Sequence, residues 1–173
     1  MYLQLLGAAV VVGGAVALGF HYAARESARL LDLLEFKKAL MILSSEIDYM
    51  RTPLPAAAAN IGKRTERWVG PFFSRFGEVL AANDGETAYQ LWVRVLGDVG
   101  DAADLVEEDL KVIDGFGKTL GYLDRDMQRN AIDYAVRYVD ETCAVLQVQA
   151  EKSKKMYRSL GVIGGLFLAV VFW

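Results

Sequence analysis

Residues 124–173 read DRDMQRNAIDYAVRYVDETCAVLQVQAEKSKKMYRSLGVIGGLFLAVVFW, and no proline interrupts them, which predicts one continuous helix. The first half of this helix is polar, its end is apolar, and Lys152, Lys154, Lys155 and Arg158 lie at the junction. In the polar half, apolar residues recur at alternating steps of four and three, which is the spacing of a seam that packs against partner helices. The seam consists of Ile132, Val136, Val139, Cys143, Leu146 and Ala150. The pattern therefore predicts one helix that is both the core of a bundle and its membrane tether.

The composition limits the class of protein. The chain has 173 residues, enough for one domain of ordinary size, and 54% of them are hydrophobic. The net charge of -3 argues against a general nucleic-acid binder, which needs a basic surface. The single cysteine, Cys143, excludes an intrachain disulfide and any site built from several cysteines. The chain has only three prolines, and an all-α fold is predicted.

The N-terminus carries a second apolar segment. Residues Leu5 to Phe20 are apolar throughout, and with their flanks they reach about 20 residues, the length that spans a bilayer core. We therefore predict a transmembrane helix over residues 1–24. The alternative is a cleaved signal peptide, but no Lys or Arg precedes the apolar run and no clear cleavage site follows it.

The charges beside the two apolar ends predict their orientation. Arg25 and Arg29 follow the first segment, and the basic junction precedes the last one, so both basic flanks lie on the same side of the bilayer. The positive-inside rule places that side in the cytoplasm. The prediction is a membrane hairpin: a helical body over residues 25–157 on the cytoplasmic side, and a short transmembrane or membrane-embedded helix over residues 158–173.

Both apolar ends contain small residues at helical spacing. Gly161 and Gly165 form a GxxxG pattern, and Ala9, Gly13 and Ala17 form a second row. Such rows let membrane helices pack closely, on each other or on another membrane protein. The alternative is that glycine and alanine are simply common in membrane helices.

The body contains further amphipathic segments. In the helix predicted for residues 26–50, apolar residues again recur at steps of three and four, so we expect this helix to pair antiparallel with the last one. Thr52 and Pro53 predict the start of a short helix, Gly70 and Pro71 the start of the next, and two more follow over residues 86–96 and 106–120. Asp124 is the predicted N-cap of the final helix. The fold class is thus an antiparallel bundle of about six helices. Its first seam is Leu33, Phe36, Leu40, Leu43, Ile47 and Met50.

No catalytic, cofactor or metal site is predicted. Gly117, Lys118 and Thr119 resemble the end of a phosphate-binding loop, but Val112 occupies the position of the required first glycine, and the stretch lies in a helical pattern. The acidic residues between 98 and 109 lack the order of a calcium loop, so we interpret them as a solvated face and a favourable helix N-terminus. Cys143 lies on the seam, where a thiol is usually inert packing.

Several motifs resemble the stage III sporulation protein AB family of endospore-forming bacteria, and the resemblance extends over essentially the whole chain. The segments are residues 48–54, 116–128 and 151–166, together with the tryptophan at 92. The most specific positions are Leu120, Gly121, Asp124 and Gln128 in one run, and Lys155, Met156, Tyr157, Leu160 and Gly161 in another.

The resemblance implies a membrane platform in the transenvelope complex between mother cell and forespore, required for late forespore development. It implies a fold similar to the helical domain of the platform proteins of type II secretion and type IV pilus machines. The implied partners are a secretion-type ATPase, ring-forming membrane proteins and the lipid bilayer, with no nucleic acid and no small-molecule substrate. The implied location is the mother-cell membrane around the forespore. The alternative that the residues leave open is a membrane-tethered signalling adaptor unrelated to transport.

Overall fold

The structure is a computed structural model of the whole chain. It describes the backbone of residues 2–50, 52–82, 85–121 and 125–171. Side chains are described at positions 14, 19, 21–47, 50, 52–82, 85–100, 102–120 and 126–152.

The backbone that is described forms six α-helices and no strand, which confirms the predicted all-α class. They are α1 (Tyr2–Ser45), α2 (Leu54–Arg64), α3 (Val69–Ala82), α4 (Ala88–Val99), α5 (Glu107–Gly117) and α6 (Arg125–Val171). A π-helical turn, Glu46–Met50, follows α1 directly. Short 3-10 turns follow α4 at Gly100–Ala102 and α5 at Lys118–Gly121.

The chain divides into two compact units. The first contains Met1–Ala28 and Ala144–Trp173, and the second contains Arg29–Cys143. Within the described residues, no helix has an apolar stretch long enough to cross a membrane. Three predicted features lie outside the residues whose side chains are described. They are the membrane segment 158–173, the apolar part of segment 1–24 except Gly14 and Gly19, and the rows of Ala9, Gly13, Ala17, Gly161 and Gly165.

Aromatic side chains form the centre of the second unit. Trp92 of α4 is fully buried, and its ring contacts Phe72, Phe73 and Phe76 of α3 and Phe116 of α5. The ring centroids are 4.6 to 5.7 Å from that of Trp92, with near-perpendicular planes. Edge-to-face pairs of this kind stabilise a core beyond the area that they bury. The prediction that the three phenylalanines of α3 belong to the core is confirmed.

Glycine allows α2 and α3 to pack closely. A Cβ atom on Gly62 would lie 2.7 Å from the backbone nitrogen of Ser74, and one on Gly77 would lie 3.0 Å from the nitrogen of Ala59. A larger residue at either position would push the helices apart. The short segment 54–82 therefore forms a tight helical hairpin, which buries its phenylalanines against α4.

The starts of α2 and α4 differ from the sequence-based predictions because of side-chain hydrogen bonds, whereas those of α3 and α5 lie within one or two residues of the predicted positions. Thr52 does not cap α2, because its hydroxyl donates to the Glu46 carboxylate. Helix α4 begins at Ala88 and not at residue 86, because Thr87 is its N-cap: the Thr87 hydroxyl accepts from the Gln90 nitrogen, and the Gln90 side chain accepts from the Thr87 nitrogen. This capping box is readable in the sequence as Thr-x-x-Gln. The predicted N-cap of α6, Asp124, lies outside the described residues.

The ends of α1 and α4 also differ. Met50 was predicted on the first seam, but it is 67% exposed, so that prediction is wrong. The cause is the π-helical turn, which adds a residue to the local repeat and rotates Met50 away from the apolar face. Helix α4 continues through Gly97 to Val99, because glycine weakens a helix without ending it. Helix α5 ends at Gly117 and not at residue 120, since Lys118–Gly121 form a 3-10 turn.

Candidate functional site

The predicted seam residues differ in burial. Leu33, Leu40 and Val139 are at most 1% exposed, Cys143 and Leu146 are buried, and Ile47 and Val136 are half-buried. In the second unit, the Lys37 ammonium donates to the Asp140 carboxylate, which places α1 beside α6. Burial raises the pKa of the Cys143 thiol, so the thiolate is disfavoured, and the residue acts as packing.

A buried ion pair lies where α1, α5 and α6 meet. Asp109 is fully buried, and its two carboxylate oxygens accept from Arg29 Nε at 2.7 Å and Nη2 at 2.9 Å. The Tyr138 hydroxyl donates to the same carboxylate at 2.8 Å, and the backbone nitrogen of Val106 donates at 3.1 Å. Four donors, from α1, α6 and the N-cap of α5, thus converge on one carboxylate. A bidentate Arg–carboxylate pair is directional, so it holds the helices in one register.

These contacts shift two pKa values in opposite directions. Burial alone would raise the pKa of the Asp109 carboxyl, but the hydrogen bonds from Arg29, Val106 and Tyr138 outweigh it and hold the pKa below its ordinary value of 3.8. Burial and the hydrogen bond to Asp109 raise the pKa of Tyr138 to about 12. Asp109 is therefore a fixed anion and Tyr138 a fixed donor, and this combination positions helices and does not exchange protons near neutral pH.

Asp32 of α1 forms a second buried carboxylate site. It is 1% exposed, it accepts from Arg67 Nε, and it accepts from the backbone nitrogen of Asp104 at 2.9 Å. Arg67 lies in the connection between α2 and α3 with a positive φ of 52°, a strained backbone that the surrounding contacts must maintain. The hydrogen bond to Asp32 raises the pKa of the Arg67 guanidinium. Asp32 thus ties two connections of the chain to α1.

Glu46 forms a third site in the π-helical turn. It is 4% exposed, and its oxygens accept from the Thr52 hydroxyl and from Asn60 Nδ2 at 3.2 Å. These contacts attach the end of α1 to α2. In all three sites, fixed donors from other elements occupy the carboxylate oxygens, so the arrangement serves to lock helices together. Across the residues described, no group of three or more His, Cys, Asp or Glu is placed to hold a metal ion.

The stretch that resembles a phosphate-binding loop has structural roles. Gly117 is buried against Trp92, Lys118 Nζ lies 2.9 Å from the Asp114 carboxylate, and the Thr119 hydroxyl donates to the Phe116 carbonyl at 2.7 Å. The three residues span the end of α5 and a 3-10 turn. Their contacts explain the residues without a phosphate.

The sequence analysis did not predict the three buried carboxylate sites. Asp109 was assigned to a solvated acidic face, and this assignment is wrong, although its neighbours Glu107 and Glu108 are exposed at the N-terminus of α5 as expected. The spacing contained the signal. Asp32 and Glu46 lie on the same helical stripe as Phe36, Ala39 and Leu43, and Asp109 continues the stripe of Ile113, Phe116 and Leu120. An acidic residue that continues the three- and four-residue spacing of an apolar stripe predicts a buried carboxylate with a paired charge.

The Asp109 site predicts a dependence of stability on pH. A carboxyl whose pKa is lowered by folding contributes stability that is complete above its unfolded pKa and is lost as the pH falls through its folded pKa. We therefore expect the native protein to have a higher free energy of unfolding than an Asp109→Asn variant. This difference should be largest at neutral pH and should shrink below about pH 4. Urea unfolding at a series of pH values measures this difference. An exposed control, Asp140→Asn, should show little change, and a constant difference for Asp109→Asn down to about pH 3 would contradict the assignment.

Nearly the whole chain matches a known family. The model for "Stage III sporulation protein AB (spore_III_AB)" aligns with residues 4–173. The chain belongs to the stage III sporulation protein AB family. Homology to this family supports a role in sporulation, and the family is named as a sporulation family and not as an enzyme family.

A relative and a solved structure agree with the family match. The chain is 32% identical over 169 residues to "Stage III sporulation protein AB" of Bacillus subtilis (strain 168), and the match covers 98% of each chain. A solved structure named "Stage III sporulation protein AB (SpoIIIAB)" has 30% identity and a TM-score of 0.67, and the match covers 73% of this chain and 98% of that one. The resemblance found in the sequence is thereby confirmed.

Proposed function

We propose that this chain is a non-enzymatic, membrane-attached platform of the sporulation complex that connects the mother cell with the engulfed forespore. The observation that carries the proposal is the family match over residues 4–173. The platform role itself rests on the resemblance to the helical domain of secretion and pilus platform proteins, which is an analogy of fold.

The buried charges of the second unit support a scaffold role. A protein that joins other components must keep a fixed shape under load, and directional ion pairs between helices provide such rigidity. Arg29 with Asp109 and Arg67 with Asp32 connect α1 to distant parts of the chain. Each carboxylate is engaged with donors that hold it in place, which suits a framework better than a reaction centre.

The apolar ends supply the membrane attachment in this proposal. Segments 1–24 and 158–173 anchor the chain in the mother-cell membrane around the forespore, and body 25–157 lies on the cytoplasmic side, as the basic flanks suggest. Alkaline extraction of membranes from sporulating cells tests this part. We expect the full-length chain to stay in the membrane pellet, and its release into the supernatant would overturn the attachment.

Deletion of the gene in the source organism tests the role. We expect engulfment to be completed, after which the forespore shrinks and its late gene expression is lost, and a copy of the full-length gene should restore both. Normal spores would contradict the proposal. Altered gene expression before engulfment would instead favour the signalling adaptor.

The proposed partners are a secretion-type ATPase and ring-forming membrane proteins of the same complex. Crosslinking in sporulating cells, followed by purification of the full-length chain, should recover such an ATPase. Repeated failure to recover it, while the deletion still blocks late forespore development, would remove the platform role and leave the sporulation role in place.

A further inference from the structure

The charges of the chain are divided unequally between its two compact units. The first unit, Met1–Ala28 with Ala144–Trp173, contains five Lys or Arg and two Asp or Glu, which gives a net charge of +3. The second unit, Arg29–Cys143, contains 14 Lys or Arg and 20 Asp or Glu, a net charge of -6. A charge asymmetry of this kind indicates that one part of a chain meets an anionic surface. The unit that contains both apolar ends is the basic one.

Four of the five bases of the first unit lie close together on α6, in the basic junction. The α6 backbone is helical from Arg125 to Val171, so residues 152 to 158 extend about 9 Å along its axis. At about 100° per residue, the four positions fall within one half of the helix circumference. Lys152, whose side chain is described, is exposed. The members of the junction are Lys152, Lys154, Lys155 and Arg158.

One acid lies beside the basic junction. Glu151 precedes Lys155 by four residues, which is the spacing and direction of a favourable helical ion pair, so it offsets one of the four bases. Glu151 is the only acid in the sequence from residue 142 to residue 173. The local sequence therefore leaves a net charge of +3 at this point of α6.

The residues that follow the basic junction identify the kind of anion. Residues 159–173 contain no Asp, Glu, Lys or Arg, and most of them are apolar. A polybasic segment directly beside an apolar segment is the arrangement that attracts the headgroups of anionic lipids. A nucleic acid would leave the apolar segment without a role, and the net charge of -3 on the whole chain opposes its binding.

We propose that the basic junction binds the phosphate groups of anionic phospholipids, so that the chain selects these lipids over zwitterionic ones. The inference rests on the membrane attachment in the proposed function, and it extends that attachment because it names the class of lipid. Ammonium and guanidinium groups attract the phosphate of every phospholipid, but only an anionic lipid keeps a net negative charge. The selection is electrostatic, so it weakens as salt screens the charges.

Spin-labelled lipids in vesicles test the selection. The full-length chain is reconstituted into phosphatidylcholine vesicles with a trace of spin-labelled phosphatidylglycerol or of spin-labelled phosphatidylcholine. Electron paramagnetic resonance then measures how strongly each labelled lipid associates with the protein. We expect phosphatidylglycerol to associate about two- to fivefold more strongly at low salt, and this preference to disappear at about 1 M salt. Replacement of chloride by phosphate at equal ionic strength should leave the preference unchanged.

Three variants test whether the basic junction causes the preference. The first removes its four bases and should abolish the preference: Lys152→Gln, Lys154→Gln, Lys155→Gln and Arg158→Gln. The matched control removes four exposed bases of the second unit and should leave the preference unchanged: Lys63→Gln, Arg64→Gln, Arg75→Gln and Lys111→Gln. The third, Glu151→Gln, removes the local acid and should raise the preference by about 1.5- to threefold, a gain that misfolding does not explain.

Several results would overturn the proposal. They are equal association of the two lipids with the native chain, a preference that high salt does not reduce, and equal effects of the junction variant and its control. A preference that phosphate abolishes would show that the bases bind free phosphate instead. Flotation of the same vesicles keeps the two proposals apart. A chain that floats with phosphatidylcholine vesicles but shows no preference overturns only the lipid selection, whereas a chain that does not float overturns the attachment as well.

Discussion

Replacement of Arg29 by leucine is expected to lower the free energy of unfolding by about 3 kcal/mol at neutral pH. The change removes two of the four hydrogen bonds to Asp109 and leaves a fully buried carboxylate without its counter-charge. Breaking a buried pair in this way costs far more than the pair itself contributes, because the remaining charge stays out of water. Urea or thermal unfolding of the full-length chain measures the loss.

A second variant separates the ion pair from general loss of packing. Asp109→Asn in the Arg29→Leu background removes the stranded charge. Its amide oxygen can accept from the Val106 nitrogen, and its amide nitrogen can donate to the Tyr138 hydroxyl oxygen, so the double variant should recover at least about 1 kcal/mol. The matched control is Lys37→Leu, which breaks an exposed pair between α1 and α6 and should cost less than about 1 kcal/mol. Equal losses for Arg29→Leu and Lys37→Leu would show that the Asp109 pair does not lock the helices.

Replacement of Trp92 by alanine is expected to lower the free energy of unfolding by about 3 to 5 kcal/mol. Trp92 is fully buried and contacts the rings of α3 and of Phe116, so its removal leaves a cavity whose walls belong to three helices. The exposed neighbour Val93 provides the control, since Val93→Ala should change stability by less than about 0.5 kcal/mol.

Gly117 provides an independent check on the position of the Trp92 ring. A Cβ atom on Gly117 would lie 2.3 Å from Trp92 Cδ1, so Gly117→Ala should cost about 1 to 3 kcal/mol in the native background. In the Trp92→Ala background the same substitution enters the cavity and should be neutral or stabilising. Gly115→Ala, two residues earlier with open space around it, should stabilise α5 by roughly 0.5 to 1 kcal/mol. If Gly117→Ala changes the free energy of unfolding equally in both backgrounds, the Trp92 ring does not lie against Gly117.

Much of the fold was predictable because each helix has a pattern of apolar residues within its own segment of sequence. The 3.6-residue repeat of apolar residues depends on each segment alone, and it correctly indicated six helices and the phenylalanines of α3 as core. The boundaries were less accurate where a side chain had two possible partners. Thr52 was able to cap α2 or to donate to Glu46, and only the position of α1 decided between them.

The buried carboxylates illustrate what a stripe pattern leaves open. Asp109 follows two exposed acids, Glu107 and Glu108, and the local sequence does not distinguish the three. Only Asp109 of these three pairs with Arg29, a residue 80 positions away. Whether an acid is solvated or paired depends on which distant base arrives beside it. That information lies in the packing of α1 against α5 and not in either segment.

The sequence by itself determined the helical class, the apolar stripes and the family, because helix periodicity and motif spacing are properties of consecutive residues. Tertiary structure alone decided that Asp109 pairs with Arg29 and that Gly117 must remain glycine beside Trp92. Each of these depends on the distance between atoms far apart in the chain. Such distances are fixed only when the helices pack, since desolvation, steric overlap and charge pairing act between surfaces and not along the sequence.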